Sequence, residues 1–224
     1  MSSKIIKGIV IANNDFNDHD AIVKIITNKK IISFVALGVR KPNSKNRPSL
    51  LVWTLGEYEI FLSRLNNKLS KLKKGTIIKT IDHLQMTSFL SEMQEILYYL
   101  NKLEISNHQL FTNLNDFISL ANGENIYYCK TFLLFKITEN FGFKQNLRSC
   151  VECNSNQNLR DFQLYSGGFL CKFHSKDNIF RSIEELKTFY YLNYSMSDYI
   201  KLANSYANLI IYREIINFLK ENIA

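Results

Sequence analysis

The sequence predicts an α+β fold, in which a small closed β-sheet precedes an α-helical domain with a cysteine-rich insertion. Three observations lead to this prediction. Strand-like segments fill residues 4–80, apolar residues take on helical spacing from Leu84 onward, and three of the four cysteines lie between residues 150 and 171. A chain of 224 residues, 46% of them hydrophobic, can bury a sizeable core and form one large domain or two to three small ones.

The first domain is predicted from five short segments rich in β-branched and aromatic residues, each bounded by polar residues. Five strands in about 75 residues favour a small closed sheet over a sandwich. Proline lacks an N–H and cannot pair centrally in a sheet, so the segment that contains Pro42 and Pro48 is a predicted loop. The predicted strands are IIKGIVIA, DAIVKIIT, IISFVALGV, LLVWTLGEYEIFLSRL and GTIIKTID.

The second domain is predicted from apolar residues spaced three and four apart, which form one stripe on a helix. Ser106 or Asn107 can cap the second helix at its start. The third helix contains YYCKTFLLFKI, which is apolar on nearly every side, so we expect it to be central. The change of periodicity places the domain boundary near residue 80, between 1–80 and 81–224. The predicted helices cover residues 84–103, 108–121, 125–141, 182–194 and 197–221.

Positive charge is concentrated in the first domain. Residues 1–80 carry a net charge of +10 and residues 81–224 a net charge of −2, so the whole excess of +8 lies in the first third of the chain. This asymmetry favours nucleic acid as a partner of that domain, and a merely solvated basic surface is the alternative.

The candidate nucleic-acid contacts are basic residues in three groups. The first group lies in the proline-containing loop, the second precedes the last strand, and the third flanks the second strand. In a small barrel of the OB type, such residues follow the phosphates while bases stack on rings such as those of Phe34, Trp53, Tyr58 and Phe61. The predicted contacts are Arg40, Lys41, Lys45 and Arg47; Lys68, Lys71, Lys73 and Lys74; and Lys24, Lys29 and Lys30.

The cysteine cluster predicts a metal site. Cys150-x2-Cys153 and Cys171-x2-His174 form two hooks, separated by seventeen residues. Paired hooks of this kind place four ligands at the corners of a tetrahedron, which is the geometry that zinc prefers. Gly167-Gly168, just ahead of the second hook, permits a tight reversal that turns Cys171 toward the first hook. We therefore predict a Cys3His zinc site in an insertion at about residues 148–176.

We predict a structural role for this zinc, because catalytic zinc keeps an open position and here four side chains can fill all of them. A zinc hydrolase or deaminase is the alternative. Glu152 is the acid within the first hook, but the sequence lacks the His-x-Glu and Pro-Cys-x-x-Cys elements of deaminases. It also contains no P-loop and no GxGxxG motif, so we predict no catalytic residues and no enzymatic activity.

The acidic segment DFNDHD, residues 15–20, predicts a polar hairpin turn between the first two strands, with divalent-ion binding as the alternative. We expect no secretory leader and no membrane span, because no apolar run reaches the ~18–20 residues that a span needs. Clustered cysteines with one isolated cysteine are typical of reduced thiols in a cytoplasm.

The order of these motifs resembles the bacterial recombination mediator RecO family over nearly the whole chain. GIVIANNDFNDHDAIVKIIT resembles the family's opening strand, acidic turn and second strand, with Asp18 where glutamate is usual. FVALGVRKPNSKNRPSLLVW resembles a stretch with a Gly-x-Arg-[KR]-Pro core, a serine and a basic residue. The cysteine hooks resemble those of members that bind zinc, although His174 stands where cysteine is common.

This resemblance implies a non-enzymatic protein of the cytoplasm and nucleoid that binds single- and double-stranded DNA and anneals complementary strands. It also implies three partners: RecR, the single-strand-binding protein (SSB) and, indirectly, RecA, which is loaded onto SSB-coated strands. An RNA-binding or ribosome-associated OB-fold protein is the alternative function, since the same basic barrel suits RNA.

Overall fold

The computed structural model describes residues 3–63, 69–175 and 181–223. Contacts divide the chain into two compact units, Met1–Ala121 and Asn122–Ala224. The first unit contains a closed β-barrel and helices, and the second contains helices and a β-hairpin. The predicted α+β fold is therefore confirmed. Within the described residues, no helix is both long and apolar enough to cross a membrane.

The barrel follows the strand order β1-β2-β3-β5-β4 and closes where β4 pairs with the first half of β1. An irregularity in register between Val10 and Ala12 bends β1, so that its second half pairs with β2. This closed five-stranded arrangement is the predicted OB fold. The strands are β1 (Ser3–Phe16), β2 (Asp20–Ile26), β3 (Ile31–Ala36), β4 (Thr54–Phe61) and β5 (Ser70–Thr80).

Strand β4 begins later than the sequence predicts. The apolar run from Leu50 to Trp53 was expected to be part of the strand, but Arg47–Leu50 form a short 3-10 helix. Trp53 then adopts a φ of 63°, which is incompatible with an extended strand. Regular pairing with β1 and β5 therefore starts at Thr54 and Leu55.

Helices α1 (Leu90–Lys102) and α2 (His108–Leu120) belong to the first compact unit. The rings of Trp53 and Phe117 pack with their centroids 4.8 Å apart, which joins α2 to the barrel. The predicted boundary near residue 80 marks the change from strands to helices, whereas the compact unit continues to Ala121 because these two helices pack on the barrel.

The first helix begins at Leu90 instead of Leu84, since Gln85–Phe89 form a 3-10 helix and the Leu84 side chain is 89% exposed. The second helix begins as predicted. The Asn107 side chain accepts a hydrogen bond from the Leu110 N–H and caps α2.

The second unit is arranged around α3 (Ile126–Asn140), which is buried on nearly every side, as predicted. The predicted helix over residues 197–221 is two helices, because Ala203 is extended and Asn204 caps a new helix through the Ala207 N–H. The remaining elements are β6 (Leu159–Gln163), β7 (Gly168–Cys171), α4 (Ile183–Tyr191), α5 (Met196–Leu202) and α6 (Ser205–Asn222).

Candidate nucleic-acid interface and metal centre

The turn between β1 and β2 holds the proline-containing basic loop in place. Asp20 Oδ1 accepts a hydrogen bond from the Gly38 N–H at 2.8 Å. The Arg40 N–H donates to the His19 carbonyl at 2.9 Å, and the Arg40 guanidinium lies 2.9 Å from a carboxylate oxygen of Asp15. The DFNDHD segment is thus the predicted polar turn, and two of its carboxylates contact the protein's own loop. Within the described residues it is not part of a metal-ligand cluster.

Asn46 connects the same loop to β5. Its Oδ1 accepts a hydrogen bond from the Gly75 N–H at 3.1 Å, and its carbonyl accepts one from the Ser49 hydroxyl at 2.7 Å. A Cβ at residue 75 would collide with Ser49 Oγ, so glycine is required for this close approach. Asn46 was not singled out from the sequence, although loop asparagines commonly bond to nearby backbone.

The four cations of the basic loop are exposed: Arg40, Lys41, Lys45 and Arg47. Arg40 and Arg47 line a groove of about 490 Å³, whose wall includes Leu50 and Leu51. Asp15 also lines this groove and offsets part of the Arg40 charge. The remaining loop cations face solvent, where they can meet phosphate groups.

The predicted contacts Lys71, Lys73 and Lys74 lie within β5 and not ahead of it, because the strand starts at Ser70. All three side chains are exposed. Lys73 Nζ lies 2.8 Å from a carboxylate oxygen of Glu59 on β4. Hydrogen bonds from Lys73 and Ser3 lower the pKa of Glu59, so this carboxylate stays ionised and offsets one of the three charges.

Lys24 differs from the other predicted contacts. Its ammonium donates to the Asn101 carbonyl at 2.6 Å and approaches the Leu103 carbonyl at 3.5 Å, at the C-terminal end of α1. Burial lowers the pKa of Lys24. The structure thus gives this lysine a role in capping a helix, where a cation favourably meets unpaired carbonyl groups.

Lys29 and Lys30 are exposed in the turn between β2 and β3. They line a second groove together with Lys4 and Lys7, two lysines of β1 that are not among the predicted contacts. No local pattern pointed to this groove, because the 65% exposure of Ile5 between these lysines depends on the fold. The predicted contact Lys68 lies outside the described residues.

Three of the four aromatic residues considered for base stacking are unavailable. Phe34, Trp53 and Tyr58 are buried in the first unit, because strand alternation and the turn at Trp53 point them inward. Phe61 is half-buried, and Lys73 Nζ lies 5.8 Å from the centre of its ring.

The four predicted metal ligands lie together in the second unit, with their donor atoms within 4.8 Å of one another. The sulfurs of Cys153 and Cys171 are 3.9 Å apart. His174 Nδ1 lies 3.6 Å from the sulfur of Cys150 and 3.3 Å from that of Cys171. A tetrahedral ion bound at about 2.3 Å to sulfur and about 2.0–2.1 Å to nitrogen requires edges of about 3.8 Å and 3.6 Å, so the cluster fits such an ion.

The β6–β7 hairpin positions the two hooks. The Val151 N–H donates to the Phe169 carbonyl at 2.9 Å and fastens the first hook to β7. Gly167 and Gly168 adopt φ values of 85° and 140° and form the predicted reversal. A Cβ at residue 168 would collide with the backbone of Asn146, so the reversal requires glycine there.

The electrostatics of the cluster favour the thiolate at Cys150 and at Cys171. At Cys153 the N–H of Ser155 lowers the pKa, but burial and the sulfurs of Cys150 and Cys171 outweigh it and raise the pKa. Burial disfavours ionisation of Cys150, but the backbone N–H groups of Cys171, Cys153 and Glu152 outweigh it and lower the pKa of Cys150 to about 6. The pKa of Cys171 is also lowered, since the N–H of Phe173 and the ring of His174 oppose the effect of burial. Thiolates with one imidazole form the donor set that suits zinc.

Arg181 connects the β6–β7 hairpin to α6 within the second unit. Its Nε lies 3.0 Å from Asp161 on β6, and its two terminal nitrogens contact both carboxylate oxygens of Glu214 on α6 at 2.7 and 2.8 Å. The guanidinium also stacks 4.9 Å from the ring centre of Phe189. These residues are far apart in sequence, so local patterns gave no signal for this network.

Comparison with known proteins places the chain among recombination proteins. Two family models match, Recombination protein O N terminal over residues 1–81 and Recombination protein O C terminal over residues 82–219. The chain is 33% identical over 183 residues to DNA repair protein RecO of Mesoplasma florum. The aligned region covers 76% of this chain and 67% of that protein.

Two further relatives carry the same name. The chain is 33% identical over 195 residues to DNA repair protein RecO of Mycoplasma capricolum, with coverage of 83% of this chain and 78% of that protein. It is 22% identical over 227 residues to DNA repair protein RecO of Exiguobacterium sp., with coverage of 97% and 89%. These matches agree with the resemblance found in the sequence and give no support to the RNA-binding alternative.

Proposed function

The chain belongs to the recombination protein O family of DNA repair proteins, and on that premise we propose that it is a non-enzymatic recombination mediator. In this proposal it binds single- and double-stranded DNA and anneals complementary strands. The observation that carries the proposal is the barrel cationic surface, which we define as the exposed basic residues of the loop and of the first half of β5: Arg40, Lys41, Lys45, Arg47, Lys71, Lys73 and Lys74.

The physical basis of binding is the exchange of counterions. Phosphate groups hold a condensed layer of cations, and a protein that replaces those cations with lysine and arginine gains affinity without reading sequence. The Asp20–Gly38 and Asn46–Gly75 contacts support this role, because they fix the loop at the end of the barrel and beside β5. Two strands held on one positive surface repel each other less and can pair.

We further propose that the protein acts with RecR and SSB, so that RecA is loaded onto SSB-coated single strands in the cytoplasm and nucleoid. These partners come from the family resemblance. The barrel cationic surface supports the DNA part of the proposal.

We propose that the Cys3His cluster binds a structural zinc ion. Cys150, Cys153, Cys171 and His174 would supply all four ligands, which leaves no open position for a substrate or an activated water. Zinc is favoured over hard cations by the three sulfurs, and over an iron–sulfur cluster by the histidine. The ion would join the two hooks and so stabilise the hairpin and the elements that pack on it.

The direct test is annealing of complementary DNA strands coated with SSB, measured with and without the protein. We expect a large acceleration of annealing by the wild-type protein, and a strong loss of it when Arg40 and Arg47 are both replaced by alanine. A matched pair of RNA strands serves as the comparison. A protein that does not anneal the SSB-coated DNA strands, or that anneals the RNA strands alone, would contradict the proposal.

A further inference from the structure

A second groove on the barrel shares no lining residue with the groove beside Arg40 and Arg47. It has a volume of about 520 Å³, which is within the range of ligand-binding pockets. Four lysines line it, Lys4 and Lys7 from β1 and Lys29 and Lys30 from the turn after β2. We call it the lysine groove.

The described lining of the lysine groove carries four positive charges and no negative charge. Within the residues that the structure describes, no carboxylate lines the groove, and none of the four ammonium groups has a hydrogen-bond or ion-pair partner. Glu57 stands opposite Lys7 in the β1–β4 register, so the charge of Lys7 is the least available of the four to a bound anion. Lys4 faces Ile60 in that register, so its charge is available to an anion.

The same groove exposes apolar side chains. Ile5 is 65% exposed and Leu62 is 44% exposed, although both belong to or border barrel strands. Phe111 of α2 also lines the groove and is half-buried. Along β1, the apolar pair Ile5 and Ile6 lies between Lys4 and Lys7. The groove therefore offers cations and apolar surface side by side.

We propose that the lysine groove holds nucleotides of single-stranded DNA, with phosphates on the lysines and an unpaired base against Ile5 and Leu62. This inference rests on the proposed function and deepens it. Each nucleotide carries one charge and one flat, weakly polar base, which is the combination that the groove offers. In a duplex the bases are stacked and paired, so only the phosphates of duplex DNA can use the groove.

Two sets of substitutions separate these contributions. The charge variant replaces Lys4, Lys29 and Lys30 by alanine, and its matched control replaces the exposed lysines Lys144, Lys187 and Lys201 of the second unit. The apolar variant replaces Ile5 and Leu62 by serine, which should be tolerated because both side chains are largely exposed. Affinities for labelled oligo(dT) and for duplex DNA are measured at one salt concentration, and thermal melts confirm that every variant is folded.

We expect the charge variant to lose about tenfold or more in affinity for both DNAs, beyond the loss of its control, because three phosphate contacts are removed. The apolar variant should lose about fivefold for oligo(dT) and less than twofold for the duplex, because an apolar side chain can contact the face of a base only when that base is unpaired and unstacked. Equal effects of the charge variant and its control would overturn the proposal.

The outcome for the lysine groove can be distinguished from that for the proposed function. If the groove variants bind normally while the Arg40 and Arg47 variant binds weakly, the groove assignment fails and DNA binding stands. If the wild-type protein binds neither DNA, both fail. Binding of a labelled peptide of alternating aspartate and leucine is measured in the same variants, to test whether the groove binds an acidic and apolar protein segment instead of DNA. Loss of peptide binding with unchanged DNA affinity would assign the groove to a protein partner and contradict the proposal.

Discussion

Asp20 and Gly38 are joined by a hydrogen bond of 2.8 Å from the Gly38 N–H to the Asp20 carboxylate, which fixes the basic loop to the first hairpin. Gly38 adopts a φ of 63°, so the chain turns sharply at the point where the bond holds it. The acidic turn therefore organises the cations that follow it.

Replacement of Asp20 by alanine should weaken single-stranded DNA binding about three- to tenfold, since the loop loses an anchor worth about 1–3 kcal/mol. The direction of the change in DNA affinity is informative, because removal of a negative charge would by itself strengthen DNA binding. Asp18→Ala is the matched control, since Asp18 is exposed in the same turn. It should bind DNA as tightly as the wild type or more tightly. Equal affinities of the two variants would refute the anchoring role.

Lys24→Ala tests whether this lysine belongs to the DNA surface or to the fold. Its contacts with the Asn101 and Leu103 carbonyls predict a loss of about 1–2 kcal/mol in the free energy of unfolding, measured in urea. At a temperature where the variant is fully folded, its DNA affinity should fall no further than that of Lys187→Ala. A selective loss of DNA affinity without loss of stability would instead place Lys24 on the DNA surface.

Cys150→Ser should abolish binding of one equivalent of zinc, measured by elemental analysis, and should lower the melting temperature of the second unit. The reason is that structural zinc contributes about 10–16 kcal/mol of apparent binding free energy in small peptides. Single-stranded DNA binding by the barrel should remain within about twofold of wild type, because the cluster is outside the first unit.

Cys129→Ala is the control for this experiment, since Cys129 is buried in α3 and is not one of the clustered ligands. It should retain the metal. His174→Ala completes the set, because loss of the only nitrogen ligand should weaken zinc binding and change the absorption spectrum of the cobalt-substituted protein. Metal-free wild-type protein, or unchanged zinc content in Cys150→Ser, would count against the site.

Arg181→Met should destabilise the second unit by about 3–5 kcal/mol, because it leaves the Asp161 carboxylate buried without its cation. The double variant with Asp161→Asn should recover part of this loss, as expected for a coupled pair in a double-mutant cycle. Unfolding in urea measures both values. Additive effects of the two substitutions would show that the pair does not stabilise the hairpin.

Features encoded by local pattern were predictable from the sequence. The order of five strands followed from β-branched runs. Asn107 was one of the two predicted caps of α2, with Ser106, because the side chains of both residue types can accept a backbone N–H. The clustering of the three cysteines with His174 was predictable because hook spacing and the two glycines specify a hairpin over a short stretch. In each case the deciding interactions lie within a few tens of residues.

Features that depend on tertiary contacts were missed. The sequence pattern groups Lys24 with the surface cations, because no residue near it in sequence indicates its contact with the Asn101 carbonyl at the end of α1. The apolar spacing over residues 197–221 predicts one continuous helix, because it continues across the break that the structure has at Ala203. The lysine groove is assembled from β1, the turn after β2, residues of the other barrel strands and α2, and no single segment displays it.

The central claim, that the barrel binds DNA through its cations, is tested most directly by the salt dependence of affinity for a single-stranded oligonucleotide. We expect affinity to fall on the order of 10³-fold or more between 50 and 200 mM salt, as for a protein that contacts several phosphates. Replacing Arg40 and Arg47 by alanine should reduce the slope by about one for each lost phosphate contact. An affinity that does not change over this range of salt would contradict the claim.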